Sequence, residues 1–121
     1  MKFRVPLLSL FVAAVGLTVA PIATPQSKAT SSTTVAVTMG KPTEFHILLS
    51  KKTVPHGTVV FKVTNKGKLS HDFKIGAKKT PLLKPGKSAS ITVTLKAGSW
   101  PYKCTVAGHA SYGMKGVLKA T

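Results

Sequence analysis

The chain's only cysteine, Cys104, opens the segment Cys104-Thr105-Val106-Ala107-Gly108-His109-Ala110-Ser111-Tyr112-Gly113-Met114. This C-x4-H-x4-M spacing puts a thiolate, an imidazole and a thioether on one tight loop between two strand-like runs. Upstream, Ser70-His71-Asp72-Phe73 offers a second imidazole at the start of another strand. One soft thiolate, two imidazoles and a weak thioether select copper, and a His2Cys set with a long axial Met is the geometry of electron-transfer copper. Cu(I) and Cu(II) prefer different surroundings, so ligands preorganised by the fold reduce how far atoms move when an electron arrives. Each residue alone has a plainer reading. A free cysteine is usually a small buried hydrophobe, and a lone methionine is more often core than ligand. The four in register outweigh those readings, with Met114 the most replaceable of them.

Composition narrows the alternatives. At 121 residues the chain makes one domain, and 43% hydrophobic with 17% charged residues is not a disordered composition. A single cysteine excludes an internal disulfide framework and every multi-cysteine zinc or iron–sulfur site. Glu44 and Asp72 are the only acids against 18 Lys plus Arg, a net charge of +16. Paired-carboxylate catalysis has almost no material, and Asp72 as a base has no nucleophile or substrate pocket beside it. No enzymatic activity is expected.

Lys2 and Arg4 precede an apolar stretch, Val5 to Ala20, that at 16 residues is short for a membrane span. Charge, short apolar core and small residues read as a secretory signal peptide over residues 1–29, cut after Ala29; Thr18-Val19-Ala20 also fits a cut but Pro21 disfavours it. The rival is an uncleaved anchor. No cysteine follows the apolar run, which excludes a lipoprotein. Residues 30–34 end a polar spacer that begins near Ala23, and residues 35–121 form the domain. Export places it in the periplasm or outside the cell, tethered to the membrane if the segment is not cut. After cleavage, 15 lysines against 2 acids leave a charge of +13.

From Val35 onward, alternation of period two dominates. Phe45, Ile47 and Leu49 share one face; so do Val59, Phe61 and Val63; so do Ala89, Ile91, Val93 and Leu95; so do Trp100, Tyr102 and Cys104. Val117 to Ala120 closes the sheet. Pro55-His56-Gly57, Asn65-Lys66-Gly67, Pro85-Gly86 and Ala97-Gly98 are turn signals between them. Short strands and frequent turns give an all-β fold, a Greek-key sandwich or barrel of about seven to eight strands. His46 and His56 read as solvated surface residues, and Trp100, Tyr102, Phe61 and Phe73 as core aromatics.

Residues 35–120 resemble the small blue copper proteins, the cupredoxins of the plastocyanin, pseudoazurin and azurin type. The resemblance rests on Ser70-His71-Asp72-Phe73, on the Gly98 turn into Tyr102-Lys103-Cys104, and on Cys104 to Met114 followed by Lys115-Gly116. It implies one mononuclear type 1 copper held strongly by His71, Cys104 and His109, with Met114 axial. It also implies hydrogen bonds from Asp72 to the residue after the cysteine, Thr105, which orient the loop; Asn is commoner there, and a carboxylate would alter the site's response to pH. The spacing departs from both the plastocyanin C-x2-H-x4-M and the azurin C-x4-H-x3-M patterns. Ser70 stands where azurins have a glycine, so no fifth ligand is carried over.

The function implied is one-electron transport, with His109 as the electron port inside an apolar rim of Val106, Ala107, Ala110 and Tyr112. The alternative is copper storage, delivery or sensing, against which the chain offers only Met1, Met39 and Met114. A metal-free basic adhesion module is a third reading. The charge suits a monomer that meets redox proteins with acidic docking surfaces, or an anionic membrane surface. Nucleic acid is not expected as a partner, because the domain has no arginine for bidentate phosphate or base contacts.

Overall fold

The structure is a computed structural model that describes residues 12–23 and 31–121. Residues 12–23 are exposed and carry no helix or strand. The cut expected after Ala29 lies outside the described residues. Among the described residues, no helix is long and apolar enough to cross a membrane.

Nine strands follow: β1 Thr33–Met39, β2 Ile47–Leu49, β3 Thr53–Val54, β4 Gly57–Asn65, β5 Lys74–Ile75, β6 Lys78–Lys79, β7 Ser88–Leu95, β8 Gly98–Lys103 and β9 Lys115–Ala120. They form two mixed sheets, in the orders β2-β1-β4-β7 and β3-β9-β8-β5-β6. β1 runs parallel to β4 with Val35 opposite Phe61, and β4 runs antiparallel to β7 with Phe61 opposite Ile91. The alternation that predicted β4 and β7 is the alternation that is buried, Val59, Phe61 and Val63 in β4 and Val93 and Leu95 in β7, and Val35, Val37 and Met39 of β1, a strand not singled out by sequence, are buried in the same way. Each such side chain contributes about 1.5–3 kcal/mol by leaving water. Phe73 joins the two sheets, its ring 5.4 Å from that of Phe61 and 5.7 Å from that of Tyr102.

The all-β sandwich is as expected, and the described residues hold nine strands against the expected seven to eight or so. The short strands β3, β5 and β6 are each only two residues long, too short to show a period. The first strand starts at Thr33, inside the stretch read as spacer, because Thr33 and Thr34 pair with Val59 and Val60. Glu44 to His46 leave the β2 ladder, and His46 is half-buried rather than solvated. Trp100 is also only half-buried, with its indole N–H donating to the Lys96 carbonyl at 2.8 Å.

Candidate metal centre

His71 belongs to no long strand. It is held by an isolated bridge to Leu83, with paired backbone hydrogen bonds of 3.0 and 2.8 Å. Asn65, fully buried at the end of β4, braces that bridge from behind. Its Nδ2 donates to the carbonyls of Leu69 and Leu83, both at 2.8 Å, and its Oδ1 accepts from the Gly67 N–H at 2.9 Å. One side chain thus ties together the loop entering His71 and the segment that His71 bridges.

The other donors lie on the loop between β8 and β9. The Cys104 N–H donates to the Met114 carbonyl at 3.0 Å and closes the loop at its base. Inside, the His109 N–H donates to Val106 at 3.1 Å and the Met114 N–H to His109 at 3.2 Å. The chain reverses at Gly108 and Gly113, whose φ values of 82° and 119° belong to the left-handed region that favours glycine. Cys104 and Met114 are buried and His109 is half-buried.

The fold brings His71, Cys104 and His109 together, with their donor atoms within 4.8 Å of one another. The two Nδ1 atoms are 3.0 Å apart, and the Cys104 Sγ lies 3.6 Å from His109 Nδ1 and 4.0 Å from His71 Nδ1. Three donors around one first-row ion, each bonded at about 2.0–2.3 Å, have separations of this size. Met114 joins the group through the backbone, its N–H on His109 and its carbonyl on Cys104.

The surroundings set the state of each donor. Glu44 Oε1 lies 2.7 Å from His71 Nε2. A proton held on Nε2 leaves Nδ1 with its lone pair facing the other donors, the usual role of a carboxylate behind a ligating histidine. Burial pushes the Cys104 thiol above its usual range and pushes His109 below its own. The metal-free site is therefore thiol plus neutral imidazole, and copper binding near neutral pH is expected to release one proton, measurable in weakly buffered solution. Asp72 accepts from the Thr105 N–H at 2.5 Å and from its hydroxyl, as the resemblance implied.

Glu44 was not among the residues singled out by sequence. It also accepts from the Lys68 N–H at 2.8 Å and the Leu69 N–H at 2.9 Å. Those backbone donors, with His71, lower its carboxyl from 4.5 to about 2. A lowered carboxyl stabilises the fold fully above its ordinary value and loses that contribution as the pH falls through the folded one. Metal-free protein should therefore lose about 1–2 kcal/mol between roughly pH 4.5 and 2, after allowance for solvent screening of a partly exposed group. Unfolding by urea at stepped pH should show the drop, and Glu44→Gln should flatten it. Gly67 makes room for this carboxylate, since a Cβ there would come within 2.5 Å of Glu44 Oε1.

Beside the site, Phe45 stands edge-on to His109 with ring centres 5.2 Å apart and lies 4.9 Å from the ring of Tyr112. Phe45 therefore serves the site rather than a strand interior. Tyr112 is 71% exposed, so the surface beside His109 presents an aromatic ring to solvent.

No curated protein matches the chain. Among solved structures, auracyanin B aligns with a TM-score of 0.65 at 22% identity over 75% of this chain and 89% of its own. Auracyanin A, a blue copper protein from the green thermophilic photosynthetic bacterium Chloroflexus aurantiacus, gives 0.63 at 21% over 75% and 100%. Rusticyanin from Thiobacillus ferrooxidans gives 0.63 at 22% over 74% and 77%. These likenesses show the fold. The family of copper-binding proteins of the plastocyanin/azurin type matches residues 26–121, in which the His71, Cys104 and His109 donors converge. With the match covering most of its length, the chain belongs to the plastocyanin/azurin family of copper-binding proteins, whose cofactor is a single type 1 copper.

Proposed function

We propose that the protein is an exported one-electron carrier whose copper is held by His71, Cys104 and His109, with Met114 as axial ligand. The observation that carries the reading is the convergence of two imidazole nitrogens and a thiol sulfur within 4.8 Å. Bound copper supplies one reversible electron, Cu(II) to Cu(I), and nothing else is transformed. The chain holds the donors still: Asn65 braces His71, the Cys104–Met114 backbone bond closes the loop, and Asp72 ties that loop to the His71 segment. The half-buried His109, with Phe45 and Tyr112 beside it, is the face at which electrons enter and leave. The charge of +13 on residues 30–121 favours partners acidic at their docking sites. The N-terminal charge and apolar run support export.

Voltammetry of the copper-loaded protein tests the reading. A single reversible wave, with the copper retained against a Cu(I) chelator through repeated cycles, is expected. Transfer of the reduced ion to the chelator within the first cycle would instead make the protein a copper donor. Met114→Leu is expected to keep the copper and raise the potential, because a weaker axial donor stabilises Cu(II) less; loss of all copper on that change would give Met114 a larger share of binding than this reading allows.

A further inference from the structure

Four lysines lie directly opposite one another across four strands. Lys79 pairs with Lys74, Lys74 with Lys103, and Lys103 with Lys115. Cross-strand partners project from the same face, and all four residues are exposed. At the usual strand separation, the row is roughly 14 Å long. Like charges placed opposite one another in a sheet are destabilising, and here four stand in an unbroken line. Neither acidic side chain of the domain relieves them, since Glu44 is engaged with His71, Lys68 and Leu69, and Asp72 with Thr105. Three lysines of the row, Lys74, Lys103 and Lys115, also line a recess of about 610 Å³ together with Pro101, Tyr102 and Val117. Lys103 directly precedes Cys104 and Lys115 directly follows Met114.

We propose that this row is a docking site for an acidic redox protein, separate from the face beside His109; the proposal rests on the electron-carrier reading. A line of carboxylates on a partner fits a line of ammonium groups, and an apolar side chain beside them fits the recess. A flat anionic bilayer would match neither the line nor the hollow. Lysine rather than arginine suits an encounter that must end quickly, because the ammonium group keeps its hydration and has no bidentate grip on a carboxylate. A partner seated here is one residue along the chain from the thiolate.

Succinylated cytochrome c, an acidic haem protein, serves as the probe. In the metal-free full chain its addition should shift the backbone amide signals of β5, β8 and β9. In the copper-loaded chain, the reduced cytochrome passes one electron from Fe(II) to Cu(II), giving Fe(III) and Cu(I), and stopped flow reads the rate. Lys74→Glu/Lys79→Glu is expected to abolish the amide shifts and slow the low-salt rate about tenfold or more. Lys62→Glu/Lys96→Glu, with the same charge change but Lys62 on the other sheet and Lys96 outside the row, should leave the shifts in place and the rate within about twofold. Lys74→Glu alone, which sets a carboxylate between Lys79 and Lys103, should raise Tm; a fall in Tm would refute the like-charge strain. Equal slowing in both double variants would overturn the site in favour of net charge. So would shifts confined to Val106–Tyr112, or capture of the chain by phosphatidylglycerol vesicles through the row with no cytochrome shifts. Amide shifts at the row with no electron uptake by any form would leave the docking site standing and overturn the carrier reading instead.

Discussion

Asn65→Ala is expected to destabilise the metal-free protein by about 3 kcal/mol. The side chain is fully buried and makes three hydrogen bonds, two to carbonyls and one from a backbone N–H. Truncation leaves the Leu83 carbonyl with the His71 N–H alone and takes the partner from the part-buried Leu69 carbonyl and Gly67 N–H, and each buried polar group without a partner costs about 1–3 kcal/mol. Relaxation of the Asn65–His71 loop recovers part of that total. The loop that relaxes is the one that enters His71, so copper affinity should fall with stability. Urea unfolding followed by circular dichroism reads the first effect, and titration against a competing chelator reads the second. A loss under about 1 kcal/mol would show that the bridge between His71 and Leu83 holds without its brace.

The second large effect concerns Glu44. Replacement by alanine removes the acceptor that orients His71 and frees the Lys68 and Leu69 N–H groups that the carboxylate binds. Loss of a group that orients a metal ligand typically costs 10–100-fold in affinity, and that range is expected here for copper. Glu44→Gln keeps an oxygen acceptor and removes only the negative charge. Its main effect should therefore be on the reduction potential, which is expected to rise, because the oxidised site carries one more positive charge and loses more stabilisation. The same chelator titration and voltammetry separate the two variants. A potential that falls in Glu44→Gln would mean that the carboxylate's charge does not reach the metal.

These two residues mark where the sequence stops being legible. The strand Ser88–Leu95 was readable to the residue because eight residues of clean alternation leave one face to bury. The three donors His71, Cys104 and His109 were readable because thiolate and imidazoles are rare, and chemistry restricts what they bind together. Asn65 looked like any turn asparagine before Lys66-Gly67; its bonds to Leu69 and Leu83 depend on where the His71 segment crosses. Glu44 and His71 are 27 positions apart, and no periodicity connects them. The one available signal was scarcity, since a chain with two acids has put both beside the donors. Phe45 was assigned to a strand face because alternation through Ile47 and Leu49 extends back to it, whereas the backbone leaves the ladder there and turns the ring towards His109. The lysine row was invisible for a related reason: Lys74, Lys79, Lys103 and Lys115 come together only through register, which short strands such as β5 and β6 do not announce.

The central claim is that Cys104 bonds copper as a thiolate between His71 and His109. Its most direct test is the visible and EPR spectrum of the protein loaded with one equivalent of Cu(II), beside that of Cys104→Ser. An intense blue absorption with narrow copper hyperfine splitting, both lost in Cys104→Ser, is the predicted result. Colourless protein, or an ordinary tetragonal copper spectrum that survives Cys104→Ser, would contradict it.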